Sequence, residues 1–576
     1  MSPSSPTPPA LPREISSLLD QRLTQLEAVC RAAGVPFYDD AGVDDHLQRV
    51  LLTSDFAFET LLRDPISLGP ELVRLMGDPR HADARVGALQ ALETESETRR
   101  ELRRFRKNES IRLIWRDVNN LDPIETTLAG ASVLAECCIE TALRQAERQL
   151  QQRHGVVRNA DGVVQRMVVI ALGKLGGDEL NFSSDVDVIL AYPEDGSSDG
   201  ARSLDAGTWF TRLGQQLVSL LAETSVDGIV YRVDLRLRPF GTVGRIALSF
   251  SAMELYYQRE GRDWERYAWI KARPVAGDKV AGNSLLRTLR PFVFRRYLDY
   301  TAFAGLREMK SLIDAEVARK DLASNLKLGP GGIREIEFIV QLQQMIRGGR
   351  EPALRERGLL AALAACERLG LVPSARAKRL REAYRFLRRV ENRLQMFADQ
   401  QTHDVPDDAR ICLRIALALG YADWPALQVE LDRHRAAVSE EFDAVMAPTR
   451  RAKRGVQLKE WSALWQQFRA SGCDADALRE AGFDAPEKAV AAIDGLLSGP
   501  IVRAAATRSR ERLDRVMPTL LAAAAESAAP VACLTRFMGL VQAVARRSAY
   551  LALLDEQPVA LKRLTYIFAA SALLAD

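Results

Sequence analysis

The stretch GKLGGDELNFSSDVDVILAY, residues 173–192, decides how the rest of this 576-residue chain is read. The apolar run at 167–172 just before it reads as a buried strand that stops at a glycine-rich turn. Two serines follow, and then an Asp-Val-Asp opens a second apolar run. Side chains two apart on a strand share a face, so Asp185 and Asp187 point one way while Val186 and Val188 point the other. Two carboxylates forced together are costly unless a cation sits between them. A third carboxylate comes from YRVDLRLRP, residues 231–239. Strict alternation there predicts a strand with Tyr231, Val233, Leu235 and Leu237 on one face and Arg232, Asp234, Arg236 and Arg238 on the other. If that strand pairs beside the first, Asp234 completes a three-carboxylate site next to a row of guanidinium groups. Hard oxygen ligands of this kind suit Mg2+, with Mn2+ as an alternative, and phosphate supplies further ligands. The expected chemistry is metal-assisted displacement at phosphorus, with Asp185, Asp187 and Asp234 as both metal ligands and catalytic residues.

Around these acids the sequence places groups suited to a phosphate. Gly176 and Gly177 let backbone amides approach an anion closely, and Ser183 and Ser184 add hydroxyl donors. Arg236 and Arg238 can each hold phosphate oxygens in a two-pronged fork. Every one of these features also has a plainer reading. A Gly-Gly pair is usually a turn, and an Asp-x-Asp also suits the start of a strand with capping carboxylates. Asp234 suits a salt bridge to Arg232 or Arg236, and the arginines suit a surface ladder. The combination carries the argument, because a charge within an otherwise apolar strand is costly unless it is paired.

At these residues a resemblance becomes specific. The double glycine, the serine pair, the Asp-x-Asp and the later single Asp are similar to the nucleotidyltransferase core shared with polymerase beta. Four longer stretches, GKLGGDELNFSSDVD, YRVDLRLRPFGTVG, YYQREGRDWERYAWIKARPVAGD and GGIREIEFIVQ, follow in order. They resemble the N-terminal, adenylyl-removing half of the bifunctional glutamine synthetase adenylyltransferase/adenylyl-removing enzymes. The resemblance implies a predominantly helical α+β fold, in which a polymerase beta-like core of small mixed sheet and helices is embedded between helical domains. It also implies removal of AMP from a tyrosine of glutamine synthetase by phosphate, releasing ADP, in the control of cytoplasmic nitrogen assimilation. A PII signalling protein and glutamine are the implied effectors, and neither spacing nor composition shows where they bind. Two other activities stay open. One is forward adenylyl transfer from ATP, in which a tyrosine hydroxyl with a pKa of about 10 needs a base and Asp234 is the obvious choice. The other is a catalytically inactive module that docks a PII-type protein, against which the presence of all three carboxylates argues.

Composition bounds the rest. A chain of 576 residues implies two to four domains. Apolar residues at 47% and charged residues at 27% are ordinary for a soluble globular protein. A net charge of +3 is nearly neutral at this length, so no bulk attraction to nucleic acid or membrane follows. Seven cysteines without a C-x-x-C pair, and five scattered histidines, give neither a disulfide frame nor a zinc site. No signal peptide is visible, and no apolar run approaches a bilayer span.

Residues 1–13, rich in Pro and Ser, read as disordered. Apolar spacings of three and four predict helices at 14–33, 43–63, 95–118 and 123–153, within a helical region 14–155. The catalytic core is expected at 156–290, with strands at 165–172, 186–192 and 228–238 and a helix at 203–223. A helical domain at 291–450 follows, broken by the glycines at 329–332. Residues 451–576 read as a helical linker with Ala-rich helices near 485–497, 501–527 and 531–554. No second Gly-Gly plus Asp-x-Asp set occurs after residue 300, so the chain is expected to stop short of its family's second catalytic half. Three features are given structural readings. The basic cluster Arg103, Arg104, Arg106 and Lys107 reads as a solvated helix face. The charges Arg334, Glu335 and Glu337 read as a clamp between domains rather than a closure over the site, and His403 reads as surface rather than a phosphate contact.

Overall fold

A computed structural model of the chain describes residues 11–35, 41–64, 75–295, 324–446, 457–499, 507–544, 554 and 558–570. Most of the start expected to be disordered lies outside the described residues, as do 501–506 and 545–553 of the expected C-terminal helices. The fold is α+β and mostly helical, with one small mixed sheet and a two-stranded ribbon, Val157–Arg158 with Ser197–Ser198. Two compact units divide it, the first formed by Met1–Tyr297 with Ser311–Val445, and the second taking in Met446–Asp576.

The first helix, Arg13–Ala33, stops at Gly34, whose φ of 66° lets its amide turn back to the Arg31 carbonyl. The single helix expected at 43–63 is two, Ala41–Thr53 and Asp55–Arg63. Ser54 makes the break. Its extended backbone caps the second helix, its hydroxyl accepting the Ala57 amide and donating to the Met396 carbonyl at 2.5 Å. Helix Glu95–Val118 opens with a reciprocal cap between Thr94 and Glu97. Helix Ile124–His154 carries the core, burying Leu134, Cys138, Ile139 and Leu143 against the sheet. This helix corrects one expectation. An 18-residue window of it reaches a mean hydropathy of 1.2, long and apolar enough to cross a membrane, yet 72% of that window is buried inside the protein.

The sheet comprises β1 (Val168–Ala171), β2 (Val186–Tyr192), β3 (Val233–Asp234), β4 (Ala247–Ser249) and β5 (Arg273–Gly277), in the order β3-β2-β1-β5. β2 runs antiparallel to β1 and parallel to both β3 and β4, which take successive lengths of the same β2 edge. Val186, Val188 and Leu190 of β2 pack toward helices Ile124–His154 and Ala206–Ala222, while Ile189 and Ala191 are buried on the other side. Between β1 and β5 the register slips by one residue beside Pro274, which has no amide to donate.

The strand expected over 228–238 shrinks to Val233–Asp234. The Asp234 carboxylate accepts the Arg236 amide at 2.7 Å, which turns the chain directly after the acid. The apolar-charged alternation of 235–238 therefore belongs to a turn. The basic cluster departs from its solvated reading as well. Arg103, 2% exposed, donates to the carbonyls of Arg99, Glu223 and Gly228, and buried Arg106 holds both Asp399 oxygens at 2.5 and 2.7 Å. Arg104 alone keeps the expected exposed position, near Asp64.

The second unit consists of helices, among them Gln457–Ser471, Pro486–Ser498, Thr507–Ala525 and Pro530–Val544. They enclose a core of their own around Trp465, Phe468, Phe483, Leu520 and Phe537. Trp465 anchors it by donating its indole N–H to Asp514 at 3.0 Å.

Candidate active site

The parallel pairing of β2 with β3 sets Asp187 directly opposite Asp234. Asp185 lies two residues earlier, at the start of β2, and one oxygen from each of the three acids falls within 4.8 Å of the others. All three are half-buried. Asp185 accepts from Gln401 Nε2 at 2.7 Å, with the Ser184 hydroxyl 3.5 Å away. Asp234 is forked by Arg236, with Nε at 2.8 Å. Burial raises the Asp234 carboxyl, but the hydrogen bonds from Arg236 outweigh it and hold the group below the usual carboxylate range. Asp187 differs. Among the described residues no side chain hydrogen-bonds its carboxylate, and burial, followed by repulsion from Asp185 and Asp234, pushes it up to about 6.

The turn before β2 fits tightly against Asp187. Gly173 has a φ of 53°, and a Cβ there would sit 2.6 Å from Asp187 Oδ2. Gly173, which the sequence did not single out, is thus the glycine that makes room for the acid, whereas Gly176 and Gly177 were expected to bring their amides to a phosphate. The Gly176 amide bonds the Leu172 carbonyl at 2.9 Å and the Gly177 amide bonds the Gly173 carbonyl at 3.2 Å, so both are used within the turn. Gly176 instead answers a packing demand, since a Cβ there would lie 2.2 Å from the Lys271 carbonyl. A Cβ on Gly177 would lie 3.2 Å from Glu179 Oε2.

Buried Ser183 is held by its amide to Gln395 and by Arg232, which donates to its carbonyl and hydroxyl. Arg238, expected at a phosphate, has backbone partners. Its guanidinium donates to the carbonyls of Leu235, Gly244 and Thr242 and so braces the loop after β3. Helix Ser374–Ala398 supplies the floor, with Glu391 taking Lys174 Nζ at 2.8 Å and His403 Nδ1 at 2.7 Å. His403 is therefore not plain surface. Glu337 pairs with Lys271 at 2.8 Å, and Lys271 also reaches Glu179 at 3.2 Å, all three within the first compact unit. Gln401, Gln395 and Glu391 were missed from sequence because they lie more than 200 residues beyond the residues they hold.

Three converging carboxylates, one of them desolvated and without a hydrogen-bond partner, form an all-oxygen donor set that fits a hard divalent cation. Sequence comparisons agree with this geometry. Residues 45–288 match the family model described as glutamate-ammonia ligase adenylyltransferase. Residues 307–446 match that of the GlnD PII-uridylyltransferase. Proteins named bifunctional glutamine synthetase adenylyltransferase/adenylyl-removing enzyme are similar over almost the whole chain. The one from Stenotrophomonas maltophilia (strain R551-3) is 50% identical over 569 residues, covering 99% of this chain and 60% of the relative. That of Xanthomonas campestris pv. campestris (strain B100) is 51% identical over 574 residues, covering 100% and 60%. That of Thioalkalivibrio sulfidiphilus is 44% identical over 590 residues, again covering 100% and 60%. The chain thus spans 60% of the length of these relatives.

Proposed function

We propose that this chain is a nucleotidyltransferase that removes AMP from an adenylylated tyrosine of glutamine synthetase, using phosphate and releasing ADP. The observation that carries the reading is the convergence of Asp185, Asp187 and Asp234 at the β2–β3 pair, within a region matching the adenylyltransferase family. A Mg2+ or Mn2+ ion held by these three carboxylates would supply charge stabilisation at the reacting phosphorus. The remaining work belongs to the chain's own groups. Gln401 and Arg236 fix Asp185 and Asp234, and the Gly173 turn leaves space beside Asp187.

In the removing direction an oxygen of HPO4(2−) forms a bond to the adenylyl phosphorus as the bond from phosphorus to the tyrosyl oxygen breaks. The proton carried by phosphate ends on the tyrosine hydroxyl, giving ADP and free tyrosine. The attacking group is already anionic, so positioning matters more than proton removal. The leaving phenol, with a pKa of about 10, departs without strong acid assistance. Forward transfer would instead need a base, and Asp234, acidified by Arg236, is poorly suited to that role. Residues 307–446, which match the PII-uridylyltransferase family, support control by a PII-type protein, and glutamine is proposed as a second effector.

The test supplies radiolabelled phosphate, Mg2+ and adenylylated glutamine synthetase. The reading predicts label in the β-phosphate of ADP and its loss in Asp187→Asn. Release of pyrophosphate from ATP without any phosphate requirement would assign forward transfer instead.

A further inference from the structure

Most cations around the three carboxylates are already committed. Arg232 donates to Ser183, Arg236 to Asp234, Arg238 to backbone carbonyls and Lys174 to Glu391. Lys327 is different. Among the described residues no acceptor bonds its ammonium, and no carboxylate lies within ion-pairing distance.

The residue is half-buried on a turn fixed from several sides. Asn325 Oδ1 accepts the amides of Lys327 at 3.0 Å and Leu328 at 2.8 Å, while its Nδ2 donates to Asp404 at 2.7 Å. Leu326 is fully buried, and its amide donates to the His403 carbonyl at 2.8 Å. Further along, Gly331, with a φ of 69°, fits where a Cβ would come 2.1 Å from the Arg435 carbonyl. The loop that receives Asn325 and Leu326 is the one from which Gln401 holds Asp185. One continuous set of hydrogen bonds therefore fixes the Lys327 backbone relative to the carboxylates.

The Lys327 charge is also felt at the carboxylates. Of the two cations that lower the Asp187 carboxyl, Lys327 acts more strongly than Arg236. The other charges it reaches are spoken for, with Glu337 paired to Lys271 and Lys174 to Glu391. An ammonium with no protein partner is available to an anionic ligand at the carboxylate site.

We propose that Lys327 is a phosphate-binding residue of this site, its ammonium taking an oxygen of the incoming phosphate and, in the product, of the ADP β-phosphate. The identity of that phosphate rests on the adenylyl-removing reading. A compact, flexible point charge suits a group that changes from free phosphate to diphosphate during turnover.

Calorimetric titration of the Mg2+-loaded chain with ADP reads this role without turnover. Lys327→Met is expected to weaken ADP binding at least tenfold, and Lys327→Arg to recover most of it. Mn2+ affinity should hold or tighten, since a neighbouring positive charge is gone. In turnover the same variant should raise the KM for phosphate more than it lowers kcat. Equal ADP affinity in the wild type and in Lys327→Met, at equal melting temperatures, overturns the proposal. Lys327→Gln serves the same comparison if the Met variant melts early. A chain that binds ADP through Lys327, yet forms none from adenylylated glutamine synthetase, defeats the assigned reaction and leaves the residue's role standing.

Discussion

Asp187 is where fold and chemistry press hardest on each other, because its carboxylate sits half-buried beside two others and is raised to about 6. A raised value means that folding disfavours the ionised form. The ion-free protein therefore loses stability as pH climbs from the ordinary carboxylate range, about 4, through 6, and a bound cation reverses that loss. Stabilisation by Mg2+ should accordingly be larger at pH 7.5 than at pH 5, a difference that thermal melts at the two pH values would show. Asp187→Asn should raise ion-free stability by about 1–2 kcal/mol while lowering turnover about a thousandfold or more. The neighbouring glycines separate two roles. Gly173→Ala pushes a methyl toward the acid and strains a left-handed backbone, costing about 1–3 kcal/mol and weakening the metal site. Gly176→Ala collides with the Lys271 carbonyl and should unfold the core more than it alters the chemistry, so denaturant melts set beside Mn2+ affinity tell the two apart. The three acids were legible because a two-residue period and one parallel pairing bring them together. The glycine roles were not, since sequence shows that a turn exists but not which of its amides stay free.

At the level of elements, β2 was readable almost to the residue because an unbroken apolar run flanked by turn residues has few alternatives. β3 was over-read. An alternating YRVDLRLR pattern looks like eight residues of strand, yet Asp234 turns the chain by capturing the Arg236 amide, and a side chain bonding locally competes with the ladder. Ser54 broke a predicted helix in the same way, by capping. The arginines at 103 and 106 were misjudged because their acceptors, Gly228, Glu223 and Asp399, lie at least 120 residues away. The Glu179–Lys271–Glu337 cluster ties the turn after β1 to helix Ile333–Arg347. Removing one partner leaves buried charge unmatched, so Lys271→Met should cost about 3–5 kcal/mol. Chemical denaturation of the variant checks that figure.

Across the whole molecule, the hydrophobic residues form separate cores in the two units, the first unit with one around the sheet and another around Leu26, Leu51 and Ile114, the second with one around Trp465 and Phe537. Calorimetry should therefore show two unfolding transitions, with Mg2+ raising only the one that carries the aspartates. A single transition would mean that the units unfold together. Residues beyond 324 hold the surroundings of the three carboxylates through Gln395, Gln401 and Glu391, which no local pattern announces. The central claim, that three acids from two neighbouring strands hold a divalent ion, is tested most directly by Mn2+ titration followed by electron paramagnetic resonance. Saturable binding in the wild type that weakens at least tenfold in both Asp187→Asn and Asp234→Asn is the predicted result. Undiminished Mn2+ affinity in those folded variants would contradict it.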